Sequence, residues 1–320
     1  MADTTFYLDF ERPIVELEKR IAELSRQAEA DGLDLAQEIE RLQRRAEALR
    51  QQVYSSLTAW QRVQLSRHPQ RPYALDYVAR MLTDFVELHG DRAFGDDAAV
   101  VGGPARLDGM PIMVVGTQSG RTIAERQRRN FGMPHPEGYR KALRLMRLGA
   151  RCGRPILSLV DTSAAYPGIE AEERGQAEAI ARSMYEMSHL EVPIVVAIIG
   201  QGGSGGAIGL AVGDRILMLE NAWYSVIAPE ACSTILFKTR ERKEEAAAAL
   251  QLTAQDLLRQ GLIDAIVPEP FGGAHRDWDE AAALLKRQVT EALAELRRVP
   301  PADLVARRIE KFCAMGQYAE

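Results

Sequence analysis

Residues 192–219 read Val192-Pro-Ile-Val-Val-Ala-Ile-Ile-Gly200-Gln-Gly202-Gly203-Ser204-Gly205-Gly206-Ala-Ile-Gly209-Leu-Ala-Val-Gly213-Asp214-Arg-Ile-Leu-Met-Leu219. A continuous apolar, β-branched run leads into a turn with five glycines among residues 200–206; a short apolar stretch and a second apolar run follow. Runs without polar alternation are strands covered on both faces, as in a parallel sheet. Glycine loses more chain entropy on ordering than any other residue, so this density belongs where backbone bends sharply or meets a ligand. A turn that opens a helix presents unpartnered N–H groups and the positive end of the helix dipole. Such a place suits an anion, or an oxygen that becomes anionic during a reaction. A tight strand–helix packing turn without chemistry is the competing reading.

Working outward, further apolar runs lie at 111–115, 156–160 and 263–267, with helix-period stretches at 138–151 and 172–190 between several of them. Strands alternating with helices predict an α/β fold with parallel βαβ units. At the N-terminal end Ile14, Leu17, Ile21 and Leu24 alternate spacings of three and four, and the pattern resumes after Asp31-Gly32 at Leu35, Ile39, Leu42, Ala46, Leu49 and Val53. This predicts a helical hairpin over 11–53, with seams too short for an independent coiled coil. It packs either on its own core or on a partner subunit; the spacing does not separate the two. The prolines of 66–73 end this region, and Pro300-Pro301 opens a last helix. The expected organisation is a helical arm at 1–66, a core at 67–298 and a C-terminal helix and tail at 299–320.

Composition excludes several functions. Among 320 residues, 40 Lys and Arg against 45 Asp and Glu leave a charge of −5, which argues against a general binder of nucleic acid or anionic membranes. Cys152, Cys232 and Cys313 have no zinc-ligand or redox spacing and fit a reducing, cytoplasmic setting; no metal is expected in this chain. The longest apolar run, 192–199, is far short of a membrane span, and MADTTFYLDFERP has no signal-peptide pattern. The glycine turn lacks the Lys-Ser/Thr ending of a P-loop and the later acidic residue of a dinucleotide site. Ser204 as a nucleophile would need a histidine and a carboxylate, and none of the five histidines carries such a signature.

Two more segments suggest a site. At 156–176 a buried strand ends in Asp161-Thr-Ser163-Ala164-Ala165-Tyr166-Pro167-Gly168 and then opens a helix through Glu170, Glu172 and Glu173. Ligands of parallel sheets sit beyond the carboxyl ends of strands, so Tyr166-Pro167-Gly168 could wall a flat ligand; a plain capped turn is the alternative. Glu172 and Glu173 read as solvated charges of a helix start. Arg121, Arg126, Arg128, Arg129 and Arg140 form a local basic stretch, suited to phosphates such as those of coenzyme A or else simply a solvated helix face.

LHGDRAFGDD (88–97), RRNFGMPHPEGYRKALRLM (128–146), AYPG (165–168), AEERGQAEAIAR (171–182), GQGGSGGAIGLAVGD (200–214), YSVIAPEACSTILF (224–237) and PEPFGGAHR (268–276) resemble the alpha subunit of bacterial acetyl-CoA carboxylase carboxyltransferase. The resemblance runs nearly end to end. It implies a crotonase-like ββα spiral and an α2β2 assembly with a beta subunit that carries zinc and much of the coenzyme A contact. It also implies carboxyl transfer from carboxybiotin, on the biotin carboxyl carrier protein, to acetyl-CoA. The product, malonyl-CoA, begins fatty acid biosynthesis, and biotin carboxylase completes the complex. Carried onto this sequence, the Gly205 and Gly206 N–H groups form an oxyanion hole. Gly202, Gly203, Ala165, Tyr166, Pro167, Gly168 and Gly116 shape the biotin pocket, and Arg121, Arg126, Arg128 and Arg129 are candidates for coenzyme A phosphates.

The chain departs from the family pattern at three places. Ser163-Ala164 stands for Pro-Gly, Thr117-Gln118-Ser119-Gly120-Arg121 for His-Gln-Lys-Gly-Arg, and Ala228-Pro-Glu-Ala231 for Ser-Pro-Glu-Gly. Three other readings therefore stand beside the first. They are a paralogous subunit of another malonyl-CoA-using pathway, a non-catalytic assembly subunit, and a stand-alone crotonase-like hydratase or thioesterase, for which no acid or base is evident.

Overall fold

The computed structural model describes residues 6–32 and 34–316. In chain order the helices are α1 (Arg12–Asp31), α2 (Ala36–Ser55), α3 (Ala59–Ser66), α4 (Ala74–Met81), α5 (Ile123–Arg128), α6 (Pro136–Arg151), α7 (Ile169–Glu173), α8 (Gln176–His189), α9 (Ser204–Ile208), α10 (Pro229–Phe237), α11 (Lys243–Leu250), α12 (Ala254–Arg259), α13 (Trp278–Leu296) and α14 (Pro301–Cys313). The strands are β1 (Val100–Leu107), β2 (Met110–Thr117), β3 (Ile156–Thr162), β4 (Ile194–Gly203), β5 (Arg215–Leu219), β6 (Trp223–Ser225) and β7 (Ala265–Val267). They form one sheet in the order β1-β2-β3-β4-β5-β7, and β6 also pairs with β4. From β2 to β7 every pairing is parallel, as the uninterrupted apolar runs require.

Three features differ from the sequence reading. First, β1 pairs antiparallel with β2 through a turn at Asp108 and Gly109, both with positive φ (48° and 81°). Gly102, Gly103 and Pro104 conceal this strand in the sequence. The glycine at 103 is required because a Cβ there would come within 1.8 Å of the Val86 carbonyl oxygen, where segment 83–88 runs antiparallel alongside the strand. Second, the stretch 172–190 is not one helix: Gly175, at φ 80°, divides α7 from α8. The Arg140 guanidinium, on α6, fastens the break by donating to the Arg174 carbonyl at 2.9 and 3.0 Å. Third, β4 serves two neighbours in turn. Its first half pairs with β5, and its glycine end pairs with β6, Gly202 opposite Tyr224 and Gly203 opposite Ser225.

The core is the sheet with α6 and α8 packed together on one side and α13 against β4, β5, β7 and α4. Residues Ile194–Gly200 are all buried. The hairpin α1–α2 follows the predicted seam, turning at Gly32 (φ 63°) with an Arg50–Glu18 ion pair of 2.6 Å between its helices. No helix among the described residues is long and apolar enough to cross a membrane.

Arg308 on α14 shows how the last helix is held. Its guanidinium is fully buried and spends its donors on both oxygens of Asp214 (2.9 and 2.7 Å) and on the carbonyls of Met187, Leu190 and Val192. Asp214 in turn accepts the Ile194 N–H at 2.7 Å. One side chain thus ties the end of α8, the start of β4 and the start of β5. Removing one member of a buried, hydrogen-bonded pair leaves the other charge uncompensated. Arg308→Met is therefore expected to lower the unfolding free energy by about 3–5 kcal/mol, and Arg307→Met, at the exposed neighbour, by at most about 0.5 kcal/mol. Urea titrations of both variants check this, and equal effects would contradict it.

Candidate active site

The glycine turn lies where the sequence places it, between β4 and α9. Its glycines have separate physical reasons. A Cβ at Gly203 would lie 1.9 Å from the Ser163 carbonyl oxygen; one at Gly206 would lie 2.3 Å from the Ala164 carbonyl carbon and 2.4 Å from the Ala165 nitrogen. The turn and loop 163–165 are therefore in backbone-to-backbone contact. At Gly202 the obstacles are the Tyr224 ring at 2.8 Å and the Trp223 carbonyl at 3.0 Å. Gly205 is different: its nearest neighbour is Ile180, an ordinary 3.5 Å away. Packing does not require a glycine there. Ser204, an exposed non-glycine residue at φ 55°, begins α9. The first N–H groups of α9 have no intrahelical acceptors. The helix is anchored from behind: the Tyr139 hydroxyl donates to the Gly206 carbonyl at 3.1 Å, Ser183 to that of Gly209 at 2.6 Å and Ser158 to that of Leu210 at 2.7 Å.

The fold brings loop 163–168 beside this turn, from a strand about forty residues earlier in the chain. Tyr166 stacks on His135, with centroids 4.1 Å apart, and its backbone N–H donates to the Pro134 carbonyl at 3.0 Å. The Gln176 amide ties both sides of that contact, donating to the carbonyls of Tyr166 (2.9 Å) and Pro134 (2.8 Å). Gly168 is needed because a Cβ would meet the Tyr166 ring at 2.4 Å, whereas Pro167 is exposed. Beside the turn opens a cavity of about 400 Å³, bordered by Ser204, Gly205, Ile208, Tyr224, Val226 and Phe312. Its walls are mainly apolar and the backbone of the turn lies at its edge, a common form for a small-ligand site. Ser204 makes no hydrogen bond to a histidine or carboxylate among the described residues.

Beneath the turn are groups the sequence reading did not select. Asp161, at the end of β3, is buried and accepts the Gln201 N–H at 2.8 Å; its Oδ1 would lie 2.4 Å from a Cβ at Gly200. Arg71 and Glu269 form a bidentate pair, each side chain 1% exposed, and Arg71 Nε also donates to the Ile199 carbonyl at 3.0 Å. Glu269 reaches on to the N–H groups of Asn221 and Ala274. Burial would push its carboxyl up, but the charge and hydrogen bonds of Arg71 hold it at about 2. The partners are separated by 198 residues, so no local pattern could reveal them.

Two sequence expectations need correction. The basic stretch is partly engaged within the chain. Arg121 pairs with Asp76 at 2.7 Å and stacks on Tyr73 and Trp278. Arg126 donates to the Gly120 carbonyl (3.1 Å), Arg129 to that of Ala98 (2.7 Å), and Arg140 sits against Asp91, Glu137 and Arg174. Arg121 and Arg140 face carboxylates, Arg126 and Arg129 are each held by one backbone carbonyl without an ion pair, and Arg128 stands exposed without a hydrogen bond or ion pair among the described residues. Gly116 lies inside β2, where a Cβ would meet Ala74 and Leu159 at 3.0 Å; it is a packing glycine of the sheet rather than a wall of the pocket. Elsewhere, Glu11, His68 and His275 bring three ligand-capable atoms within 4.8 Å of one another. Glu11 is already engaged by Tyr54, by the Leu8 N–H and by His275, and the Arg276 guanidinium 3.9 Å away opposes a cation.

Burial, opposed by the Gln201 N–H and Arg71, raises the Asp161 carboxyl to about 6. The folded state then holds this proton more tightly than the unfolded chain, so the contribution to stability is full below the unfolded value and falls as pH rises towards 6. The ionised form at pH 7 costs about 3 kcal/mol. Asp161→Asn keeps an acceptor for Gln201 and removes the charge. Its unfolding free energy at pH 7 is expected to exceed that of the native chain by about 2 kcal/mol, and the gap should close at pH 4. Urea unfolding across that range checks it; a constant gap would contradict the assignment.

The family model described as acetyl co-enzyme A carboxylase carboxyltransferase-like matches residues 7–316. The chain is 57% identical to a protein of Chlorobium luteolum, covering 98% of each, and 55% identical to one of Thermus thermophilus, covering 98% of this chain and 99% of the other. A protein of Halorhodospira halophila is 52% identical over 98% of this chain and 99% of its own length, and all three bear the name acetyl-coenzyme A carboxylase carboxyl transferase subunit alpha. Among solved structures, transcarboxylase 12S with methylmalonyl-coenzyme A and methylmalonic acid bound aligns with a TM-score of 0.58 at 18% identity, over 71% of this chain and 42% of that one. The beta subunit of geranyl-CoA carboxylase of P. aeruginosa aligns at 0.55 and 19%, over 76% and 46%. At that identity they bear on the fold alone, and the expected α/β crotonase-like architecture holds. Matched by the family model over nearly its whole length, and more than half identical to full-length relatives, the chain belongs to the acetyl-CoA carboxylase carboxyltransferase alpha-subunit family.

Proposed function

We propose that this alpha subunit transfers a carboxyl group from carboxybiotin, presented on the biotin carboxyl carrier protein, to acetyl-CoA, yielding malonyl-CoA for fatty acid synthesis. In this reading it works in the cytoplasm as an α2β2 assembly with a zinc-bearing beta subunit, alongside biotin carboxylase. One observation carries the assignment of the site: the Gly203–Gly206 turn lies in backbone contact with loop 163–165 at the edge of a cavity of about 400 Å³. The Gly205 and Gly206 N–H groups hold the negative charge that builds on the ureido oxygen as the carboxyl group departs. Donors fixed before the reaction need no reorganisation, and each is worth about 3–4 kcal/mol of barrier. Loop 165–168, stiffened by the Tyr166–His135 stack, forms the wall against the flat bicyclic ring. Ser204 has no acid–base partner, which suits a reaction whose methyl proton leaves to the biotin nitrogen rather than to a side chain.

The altered residues of the loop do not favour a non-catalytic reading. Gly203 meets only backbone atoms of Ser163, and Gly206 only backbone atoms of Ala164 and Ala165. The contact does not depend on the side chains that replace Pro-Gly.

Malonyl-CoA formation from carboxybiotin, measured on the chain co-purified with a beta subunit, tests the activity. The complex should turn over and the isolated chain should not; an inactive, correctly assembled complex would overturn the proposal. Within that complex Gly206→Val, which drives a side chain into the backbone of 164–165, should lower turnover by about 10²-fold or more while assembly persists. Gly205→Ala has space for its methyl and should stay within about tenfold of the parent, provided its N–H keeps its direction. Full activity of the Gly206 variant would remove the role given to the turn.

A further inference from the structure

Two arginines, Arg92 and Arg144, meet on the far stretch of α6. Arg92 sits in loop 88–97 with a left-handed backbone, φ 66°, a conformation that costs a non-glycine residue roughly 1–2 kcal/mol. Its Nη1 donates to the His89 carbonyl at 3.0 Å. Arg144 on α6 donates to the same carbonyl from Nη2 at 3.2 Å and to that of Gly90 from Nε at 3.0 Å. Two guanidinium groups therefore converge on one carbonyl oxygen. Neither has a carboxylate within 4 Å among the described residues.

The acidic groups of the loop are engaged elsewhere. Asp91 accepts the N–H groups of Ala93, Phe94 and Gly95 at 2.9, 2.8 and 2.9 Å and faces Arg140. Asp96 takes Lys141 at 2.8 Å, the Gly90 N–H at 2.7 Å and His89 at 3.1 Å. Partial burial, with Arg92 adding like charge, lowers the affinity of Arg144 for its proton. The pair opens onto a groove of about 710 Å³ between α6 and α8, where Arg147 pairs with Glu186 and Arg182 with Glu178, while Arg151 has no partner among the described residues.

We propose that Arg92 and Arg144 form a binding site for the phosphate groups of a phosphorylated ligand. Each guanidinium keeps free N–H donors after its carbonyl bonds, and two planar forks side by side match the oxygens of a phosphate or diphosphate. The bound anion supplies the counter-charge that the loop's own carboxylates do not. Its source is either the phosphates of coenzyme A or a free phosphate compound. Arg144 lies five residues beyond Tyr139, the residue that touches the glycine turn, which is a rise of about 8 Å along the helix.

Calorimetric titration of the full chain with inorganic pyrophosphate tests the site without reference to carboxyl transfer. Saturable binding is expected, weakened about tenfold or more by Arg92→Gln and by Arg144→Gln and unchanged by Arg307→Gln on the exposed side of α14. Circular dichroism melting of each variant confirms that it is folded. Parallel titrations with coenzyme A and pantetheine separate the sources: tighter binding of coenzyme A than of pyrophosphate, with none of pantetheine, identifies the coenzyme, and no gain over pyrophosphate identifies a free phosphate ligand. Absence of saturable pyrophosphate binding, or binding indifferent to both substitutions in folded protein, overturns the proposal.

Discussion

Two stretches of backbone, Gly203–Gly206 and Ser163–Ala165, lie so close that no Cβ fits between them at Gly203 or Gly206. The rest of the molecule is arranged to keep that contact. It sits at the carboxyl ends of β3 and β4, where parallel strands leave their loops on one edge of the sheet. The register across β3 and β4 shifts between Val160 and Thr162, so that Thr162 pairs with Gly202 and the two loops emerge together. Tyr139 and Ser183, from the helices that cover the sheet, hold the carbonyls of α9 from behind.

Buried charge fixes the ends of the strands on which this edge depends. Arg71–Glu269 ties the end of β4 to residues on either side of β6, and Arg308–Asp214 ties the beginnings of β4 and β5 to the last helix. Such pairs are weak sources of net stability because desolvation offsets much of their attraction, but they strongly penalise any arrangement that separates them. Asp161 serves otherwise. It has no bidentate partner, its ionised form is destabilised by burial, and it remains where its carboxyl binds the Gln201 N–H beside the turn. Groups that reduce stability near a site are the usual sign of a geometry kept for function.

The site has little acid–base equipment and much fixed backbone. That combination suits carboxyl transfer, in which the proton acceptor arrives with the carried group and the protein must mainly place donors and exclude water. The cavity beside Gly205 has mainly apolar walls, with Ser204, Ser225 and Gln260 among its polar lining residues.

Local chemistry alone made much of this legible. The parallel strands, the glycine turn, the hairpin arm and the loop at 163–168 could be read because strand, helix and turn signals repeat over a few residues and do not depend on distant partners. The same reading misses β1, whose Gly102, Gly103 and Pro104 look like breakers until segment 83–88 is seen running antiparallel beside the strand. It leaves open whether Arg121–Arg140 is a phosphate site or a solvated helix face, because charge is visible in sequence and ion pairing is not. It placed Gly116 in the pocket, although the contact that requires it comes from helix α4 and strand β3. Asp161, Arg71 and Glu269 acquired their roles only on folding. The sequence determined which segments fold and where the backbone can bend; the tertiary structure decided which polar groups are paired, buried or left open, since burial and charge compensation depend on partners that can lie up to 198 residues away.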